Sequence, residues 1–251
     1  QCTEASPGYF ASGSQQTSQS PCQPGQFQPG SGQTSCLQTD PGNYTDAEGT
    51  ADQIPCGPGT YQSEAGQTSC LQADPGSYSP GGGASQIPCS AGTFTSESGQ
   101  SGCTQAEPGN YVSLDGATSQ TPCSSGEYQS ESGGSGCEQA PPGQVVSADG
   151  TSAPAPCPPG KYQPDQGQSI CMQASPGHFV NESGASEQIP CQPGSFQSEP
   201  GQSGCIPSGP GNYASGQGST AQTPCAAGTF QEAGEQESCT DAMPGHHVPE
   251  E

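Results

Sequence analysis

The sequence predicts a tandem array of small disulfide-rich repeats: an elongated rod of short β-hairpin and turn modules, with no helix and no large core. Large apolar residues are scarce, with three Leu, five Ile, five Val, six Phe and no Trp in the whole chain. Gly (39) and Pro (28) together exceed a quarter of the chain, and 15 Cys recur at regular intervals. Because so little apolar surface cannot offset the conformational entropy of the chain, covalent staples are expected to hold the fold.

The repeating element is the motif Pro-Gly-x-aromatic, followed after four further residues by a second Gly. The aromatic residue returns at every seventeenth position, except that the step from Tyr78 to Phe94 is one position shorter. Val145 and His247 fill the same register, and Tyr9 is the one aromatic residue outside it. The aromatic positions are Phe10, Phe27, Tyr44, Tyr61, Tyr78, Phe94, Tyr111, Tyr128, Tyr162, Phe179, Phe196, Tyr213 and Phe230.

The Pro-Gly pair predicts a type II turn, because Pro fixes a negative φ at one position and Gly accepts a positive φ at the next. Three repeats replace this Pro with Ala91, Ser125 or Ala227 and keep the Gly. Each repeat is therefore predicted as turn, short strand, turn and short strand. The second Gly falls at Gly83 in the shortened repeat and is displaced to Gly234 in the last full repeat.

The Cys spacing alternates between fourteen and twenty positions, with a single step of nineteen, and defines two kinds of repeat. A bracketed repeat lies between two Cys at the shorter spacing, as in Cys56-Gly-Pro-Gly-Thr-Tyr61 continuing to Cys70. An open repeat follows it, as in Asp74-Pro-Gly-Ser-Tyr78 leading to Gln86-Ile-Pro-Cys89. Counting one repeat of each kind per module, we predict a partial module 1–21 and modules 22–55, 56–88, 89–122, 123–156, 157–190, 191–224 and 225–251, the last one incomplete.

Two disulfide pairings fit this spacing. Bonding across the shorter spacing leaves Cys2 alone, whereas bonding across the longer one begins with Cys2–Cys22 and leaves Cys239 alone. Loop entropy does not decide between them, because the two loop sizes differ by only about 0.3 kcal/mol per bridge. A β-solenoid is the alternative architecture, since one repeat is long enough for one short coil.

The bracketed repeats resemble the first disulfide loop of tumour-necrosis-factor-receptor cysteine-rich domains and the related short modules of ephrin-receptor-like ectodomains. Cys157-Pro-Pro-Gly-Lys-Tyr162, ending at Cys171, is the nearest match. The resemblance covers about half of the chain, and the open repeats lack the two further Cys pairs of a receptor domain. Arrays of this style also resemble long microbial surface repeat proteins.

That resemblance implies disulfides across the shorter spacing, with the Tyr or Phe packed over each bridge. Cys2 is then unpaired within this segment, which predicts that the array continues before Gln1. The chain also begins without an initiator Met or an apolar leader, so we expect a processed product or a piece of a longer protein. The implied pairs are Cys22–Cys36, Cys56–Cys70, Cys89–Cys103, Cys123–Cys137, Cys157–Cys171, Cys191–Cys205 and Cys225–Cys239.

Charge and Cys content indicate the compartment and the partners. One basic residue, Lys161, faces 24 acidic ones, and a net charge of −23 disfavours binding to nucleic acid or an anionic membrane. No stretch approaches the roughly 18 apolar residues of a spanning helix, so no membrane span is predicted in this segment. Many Cys in a chain without a core predict an oxidising compartment, and hence an extracellular or cell-surface location.

The sequence offers few residues for catalysis or for binding a cofactor. His is limited to His178, His246 and His247, and the repeat accounts for every Cys, so we predict no enzyme activity, no cofactor and no metal centre. Acidic residues near the second Gly of open repeats allow at most weak calcium binding, and we expect them to be solvated surface charges. These residues are Asp46, Glu48, Asp115, Asp149 and Glu182.

Two sequons, Asn43-Tyr-Thr45 and Asn181-Glu-Ser183, predict glycans at Asn43 and Asn181. Because the repeats are so uniform, we predict a structural repeat segment of an extracellular filament, stalk or surface fibre that is glycosylated and self-associates. The alternative hypothesis is the ligand-binding ectodomain of an adhesin or receptor.

Overall fold

The computed structural model describes residues 3–243, so Cys2, His246 and His247 lie outside the described residues. Within this range the chain forms 28 two-residue strands and no helix, and each strand pairs antiparallel with its neighbour in sequence. The prediction of small tandem hairpins without a helix is confirmed. The strands are β1 Tyr9–Phe10, β2 Ser20–Pro21, β3 Gln26–Phe27, β4 Leu37–Gln38, β5 Asn43–Tyr44, β6 Ile54–Pro55, β7 Thr60–Tyr61, β8 Leu71–Gln72, β9 Ser77–Tyr78, β10 Ile87–Pro88, β11 Thr93–Phe94, β12 Thr104–Gln105, β13 Asn110–Tyr111, β14 Thr121–Pro122, β15 Glu127–Tyr128, β16 Glu138–Gln139, β17 Gln144–Val145, β18 Ala155–Pro156, β19 Lys161–Tyr162, β20 Met172–Gln173, β21 His178–Phe179, β22 Ile189–Pro190, β23 Ser195–Phe196, β24 Ile206–Pro207, β25 Asn212–Tyr213, β26 Thr223–Pro224, β27 Thr229–Phe230 and β28 Thr240–Asp241.

Each hairpin stays within its own repeat. The aromatic residue faces the first residue of the second strand, so that Phe27 lies opposite Leu37 and Tyr44 lies opposite Ile54. In a β-solenoid the strands of successive coils would pair with each other. Among the described residues the strands pair inside a repeat instead, and they form no closed barrel.

The Pro-Gly pair forms the predicted turn. In the repeat that begins at Cys22, the backbone N–H of Gln26 donates to the carbonyl of Gln23 at 2.9 Å, and Gly25 has a φ of 84°. These are the hydrogen bond and the positive φ of a type II turn. Gly92, which follows Ala91 instead of Pro, keeps a φ of 85°. The positive φ is therefore the constant element of the turn, and Pro is replaceable.

The second Gly position differs from the prediction in two repeats. In the shortened repeat it is Gly82, not Gly83, that has a φ of 68° and donates its N–H to the carbonyl of Cys56 at 2.7 Å. In the last full repeat the position is not displaced to Gly234. Glu235 fills it with a φ of 63° and donates its N–H to the carbonyl of Ser208 at 2.9 Å. The hydrogen bond to the preceding repeat fixes this position, even where the residue is not Gly.

The described residues form two compact parts, which are residues 3–121 with 131–136, and residues 122–130 with 137–243. In the first part, backbone hydrogen bonds join each repeat to the next. The N–H of Gly25 donates to the carbonyl of Thr45 at 2.8 Å, and the N–H of Gly49 donates back to the carbonyl of Cys22 at 2.9 Å. Both bonds connect adjacent repeats, so the first part is a continuous stack and not a string of independent modules.

The second part repeats this joint. The N–H of Gly160 donates to the carbonyl of Val180 at 2.7 Å, and the N–H of Gly184 donates back to the carbonyl of Cys157 at 2.8 Å. The same main-chain bonds therefore form the joint in both compact parts. Such nearest-neighbour contacts are the basis of stability in tandem-repeat proteins.

Contacts also reach two repeats along the chain. A Cβ added to Gly25 would collide with the carbonyl oxygen of Gly66, and one added to Gly160 would collide with that of Gly201. In these repeats the first Gly therefore meets two demands, a positive φ and close backbone approach.

Small residues and backbone fill the interior. Cys22 and Ala73 are fully buried, whereas the aliphatic residues beside the second Cys or its counterpart are 40–50% exposed. The strand register places them opposite the aromatic residue of their own repeat. They are Leu37, Ile54, Leu71, Ile87 and Ile189.

Candidate structural site: the clasp of each repeat

Seven disulfides close the bracketed repeats, and all of them join Cys at a sequence separation of 14. Their Cα atoms are 5.7–5.8 Å from each other, within the ordinary range for a disulfide. The structure thus has the pairing that the receptor-like resemblance implies. The bonded pairs are Cys22–Cys36, Cys56–Cys70, Cys89–Cys103, Cys123–Cys137, Cys157–Cys171, Cys191–Cys205 and Cys225–Cys239.

Each bridge ties the start of its repeat to the second strand. Cys22 is buried and lies just before the Pro-Gly turn, and the half-buried Cys36 directly precedes strand β4. The bridge therefore encloses the turn, the first strand and the connecting loop. Cleaving it would release the two ends of one hairpin from each other.

The open repeats carry other residues at the two Cys positions. One repeat after Cys22 the equivalent residue is Thr39, which is fully buried, and one repeat after Cys36 it is Gln53. Small residues fill the first position in each of the seven open repeats that lie wholly within the described residues. They are Ala5, Thr39, Ala73, Ala106, Ala140, Ala174 and Ser208.

The Gln at the second position makes a hydrogen bond where the bracketed repeat has its bridge. Its side-chain Oε1 accepts from the backbone N–H of the residue after the small one, at 2.6–2.9 Å, and we call this bond the amide clasp. Six of the seven open repeats in the described range have it. The donor and acceptor pairs are Ser6 and Gln19, Asp40 and Gln53, Asp74 and Gln86, Glu107 and Gln120, Ser175 and Gln188, and Gly209 and Gln222.

In two repeats whose donor residue is Asp, a second bond reinforces the clasp. Gln53 Nε2 donates to Asp40 Oδ2 at 2.8 Å, and Gln86 Nε2 donates to Asp74 Oδ2 at 2.7 Å. A hydrogen bond to a carboxylate is stronger than one between neutral groups. The side-chain amide and the carboxylate therefore close a two-bond ring in these repeats.

The one remaining open repeat, residues 140–156, lacks the amide clasp. Its second position is Pro154 in place of Gln, and the residue after Ala140 is Pro141. Pro141 has no N–H, so a Gln at position 154 would have no backbone donor to accept from. The acceptor is thus missing in the one open repeat that also lacks the donor.

Sequence analysis missed the amide clasp. The signal was present in the recurring Gln shortly before the Cys that begins a bracketed repeat, as in Gln86-Ile-Pro-Cys89. A Gln in an exposed, polar segment gives no indication of its partner until the fold places the donor N–H beside it.

A second Gln, buried inside the bracketed repeats, was also missed. Gln28 is 5% exposed, its Nε2 donates to the carbonyl of Ser35 at 2.8 Å, and its Oε1 accepts from the N–H of Gly30 at 3.1 Å. All three residues lie between Cys22 and Cys36. The same arrangement recurs at the buried Gln62, Gln163 and Gln197, and the same two bonds form at Gln231, which is not buried.

In two open repeats the residue after the aromatic one, which is the position equivalent to Gln28, bonds to the preceding repeat. Thr45 Oγ1 accepts from the N–H of Gly25 at 2.9 Å and donates to the carbonyl of Gln26 at 3.2 Å. Ser79 Oγ likewise donates to the carbonyl of Thr60 at 2.8 Å. The Gln-containing bracketed repeats are therefore bonded within themselves, whereas these open repeats are bonded to a bracketed neighbour.

Two of the acidic residues considered for calcium hold backbone N–H groups. Asp115 Oδ1 accepts from the N–H of Ala91 at 2.8 Å, and Asp149 Oδ1 accepts from the N–H of Ser125 at 2.7 Å. Ala91 and Ser125 stand where other bracketed repeats have Pro, so their N–H groups are additional donors. Each Asp supplies the matching acceptor from the next repeat.

The remaining predicted site residues are dispersed. Among residues 3–243, no three His, Cys, Asp or Glu side chains come together as a metal-binding group. No helix in this range is long and apolar enough to cross a membrane. Asn181 is exposed before a turn, and Asn43 is half-buried in strand β5 with the Thr45 of its sequon fully buried.

Tyr128 and Glu138 form a cross-strand pair at the surface. The Tyr128 hydroxyl donates to Glu138 Oε2 at 3.0 Å. This hydrogen bond, and then slight burial and the negative charge of the carboxylate, raise the pKa of Tyr128 above 10.0. The pair replaces the aromatic–aliphatic pairing found at this site in repeats such as that of Phe27 and Leu37.

No model of a known protein family matches the chain, and no curated protein matches it. What the sequence and structure together establish is a tandem array of short disulfide-bonded hairpin repeats, whose bridges favour an oxidising environment.

Proposed function

We propose that the chain is a structural repeat segment of an extracellular filament, stalk or surface fibre, and that it has no enzyme activity. The observation that carries this proposal is the recurring backbone joint between successive repeats, as in Gly25 with Thr45 and Gly160 with Val180. A protein built for recognition or catalysis places special side chains in one region. Here the same turn, clasp and joint recur along each compact part.

Self-association of such arrays is part of the proposal. The exposed aliphatic residues opposite the aromatic rings give these hairpins a small apolar patch each, as at Leu37 and Leu71. With a single cation in the chain, salt bridges contribute little to assembly between copies of this segment, and a charge of −23 opposes close approach at low salt. Association is therefore expected to strengthen with ionic strength.

Analytical ultracentrifugation of the full chain over a range of salt concentrations tests the structural proposal, with electron microscopy of any assemblies. Fibres or lateral bundles that increase with salt support it. A monomer at all salt and protein concentrations would overturn the self-association part. Charge substitution of Leu37, Leu71 and Ile189 together should abolish assembly, and matched Asp or Glu substitutions at Ser or Thr on the loops should leave it intact.

Glycosylation is proposed at Asn181 ahead of Asn43. The Asn181 side chain is exposed, whereas the Asn43 sequon needs Thr45, which is buried and hydrogen-bonded to Gly25. Modification of Asn43 would therefore have to precede folding of its repeat. Expression in a glycosylating host followed by peptide mass spectrometry tests this, and full occupancy of Asn43 with none at Asn181 would contradict it.

A ligand-binding ectodomain is the second candidate. Two observations favour it: the resemblance of the bracketed loops to tumour-necrosis-factor-receptor and ephrin-receptor-like modules, and the surface aromatic–aliphatic pairs such as Phe196 with Ile206. Capture of one defined protein by the full chain, lost when the pair of a single repeat is changed, would favour recognition. If capture is unaffected whichever repeat is changed, the structural proposal is favoured.

A further inference from the structure

We propose that the alternation of disulfides and amide clasps makes the array a stepwise extensible tether, in which open repeats release under tension while bracketed repeats stay closed. This inference rests on the proposed structural role. It concerns how the segment responds to force and does not depend on what the segment joins.

The disulfide and the amide clasp occupy equivalent sites but differ in strength. In the bracketed repeats a covalent bond holds the ends of each disulfide loop 5.7–5.8 Å apart between Cα atoms. In the open repeats other than 140–156 an amide hydrogen bond holds the equivalent points, as between Glu107 and Gln120 at 2.7 Å. A hydrogen bond contributes on the order of 1 kcal/mol, so tension separates the ends of an open repeat and cannot separate those of a bracketed one.

The hydrogen bonds inside a disulfide loop survive when the neighbouring open repeat is pulled out. The bonds of Gln28 to Gly30 and Ser35 lie wholly inside the loop closed by Cys22 and Cys36. They do not depend on a neighbour. By contrast, Thr45 in the following open repeat uses its hydroxyl on Gly25 and Gln26 of the bracketed repeat. This open repeat therefore loses these side-chain bonds when it leaves its neighbour, and the bracketed repeat keeps its own.

The bridges also determine how far the chain can extend. Seven loops, each with a sequence separation of 14, lie between Cys22 and Cys239 and are locked by their bridges. The six segments between the loops are free to extend and reach about 420 Å in total at roughly 3.5 Å per residue. The fully reduced chain between the same two Cys reaches about 760 Å. The bridges thus set a limit on extension at little more than half of the reduced length.

Single-molecule force spectroscopy on the full chain, with handles fused to both ends, tests the proposal. Without reductant we expect separate, reversible release events, one for each open segment between bridges, each releasing at most about 70 Å. With reductant the total extension should increase, by about 40 Å for each bridge that is cut. One cooperative event that releases all open segments together would overturn the proposal.

A locked variant sharpens the test. The pair Ala106→Cys and Gln120→Cys places Cys at the two positions equivalent to a bracketed repeat, and should shorten one release event by about 40 Å under oxidising conditions. The pair Ala106→Ser and Gln120→Ser is the matched control and should keep the full length at a lower force. An unchanged event in the oxidised Cys variant, with the new bridge verified by mass spectrometry, would contradict the assignment.

Hydrogen exchange followed by mass spectrometry provides a second readout that needs no handles. At a denaturant concentration just below the main transition, peptides within the Cys loops should stay protected while the segments between them exchange. Simultaneous exchange of both would also overturn the proposal. If the chain proved to be a ligand-binding monomer, these results would be unaffected, so failure of the proposed function and failure of the tether are distinguishable.

Discussion

The side-chain Oε1 of Gln120 accepts a hydrogen bond from the backbone N–H of Glu107 at 2.7 Å, at the place where the preceding repeat carries the Cys89–Cys103 bridge. Removing this acceptor by Gln120→Ala should lower the free energy of unfolding by about 1 kcal/mol. Urea denaturation of the oxidised protein measures the change. Faster hydrogen exchange at the amide of Glu107 locates it.

The repeat at residues 140–156 supplies the control for this prediction. Pro154→Gln alone should bring no clasp, because Pro141 has no N–H to donate. Combined with Pro141→Ser, the same Gln should form the bond, giving a favourable coupling of about 1 kcal/mol in a double-mutant cycle. A coupling near zero would show that Gln at this position acts without the backbone donor.

Asp115 and Ala91 form the second pair suited to a cycle. Asp115→Ala should destabilise the fold by about 1–2 kcal/mol, because the N–H of Ala91 loses a charged acceptor. In an Ala91→Pro background that donor no longer exists, and Pro is favoured at this turn position. The cost of Asp115→Ala should then largely disappear. Denaturant titration of the four proteins measures the cycle, and a full cost in the Pro background would contradict the assigned role of Asp115.

The two Gly positions of a repeat should respond differently to substitution. Gly25→Ala is expected to destabilise by more than about 2 kcal/mol, because the added Cβ strains the positive φ and meets the carbonyl of Gly66. Glu235→Gly should stabilise by about 1 kcal/mol, since a non-Gly residue there has a φ of 63°. Thermal denaturation of the two variants and the parent checks that the first variant is less stable than the parent and the second is more stable. Destabilisation by Glu235→Gly would show that the Glu side chain contributes more than its backbone strain costs.

Tyr128 should titrate at a higher pH than an ordinary phenol. Because the folded state favours the neutral phenol bonded to Glu138, the contribution of this pair to stability is present below about pH 10 and is lost as the pH rises through the raised pKa. An ultraviolet difference titration of the parent and of Glu138→Gln measures this. The late-titrating component should disappear in the variant, and its persistence would point to another cause.

The sequence predicted much of the local structure and little of the side-chain bonding. The aromatic period and the Pro-Gly pairs were enough for the turns and hairpins, because both are determined within a few residues. The partial exposure of Leu37 and Ile54 was not predicted, since a spacing does not tell which side of a two-residue strand faces solvent. The position of Gly82 was ambiguous for a simple reason: three consecutive Gly occupy this turn, and only the bond to Cys56 distinguishes them.

Of the two kinds of closure, the disulfides could be predicted from the sequence and the amide clasps could not. The covalent pairs followed from the Cys spacing together with a resemblance, whereas the amide clasps at Gln53 or Gln120 depend on a distant donor that only the folded hairpin brings into reach. Calcium binding at Asp115 and Asp149 was considered from composition, and the structure gives these carboxylates backbone N–H partners. In a chain without a core, polar side chains make most of the specific contacts, and their partners are the hardest to derive from a pattern.

Main-chain atoms form the joints between repeats, as in the bonds from Gly49 to Cys22 and from Gly184 to Cys157. Exposed positions that make no side-chain bond across the boundary can therefore diverge without a compensating change in the neighbouring repeat. Whole repeats can also be duplicated or lost by recombination with no new interface to evolve. Related genes should then differ in copy number and in surface residues far more than in the glycines, the clasp positions and the turn, which makes array length the trait that selection can adjust most readily.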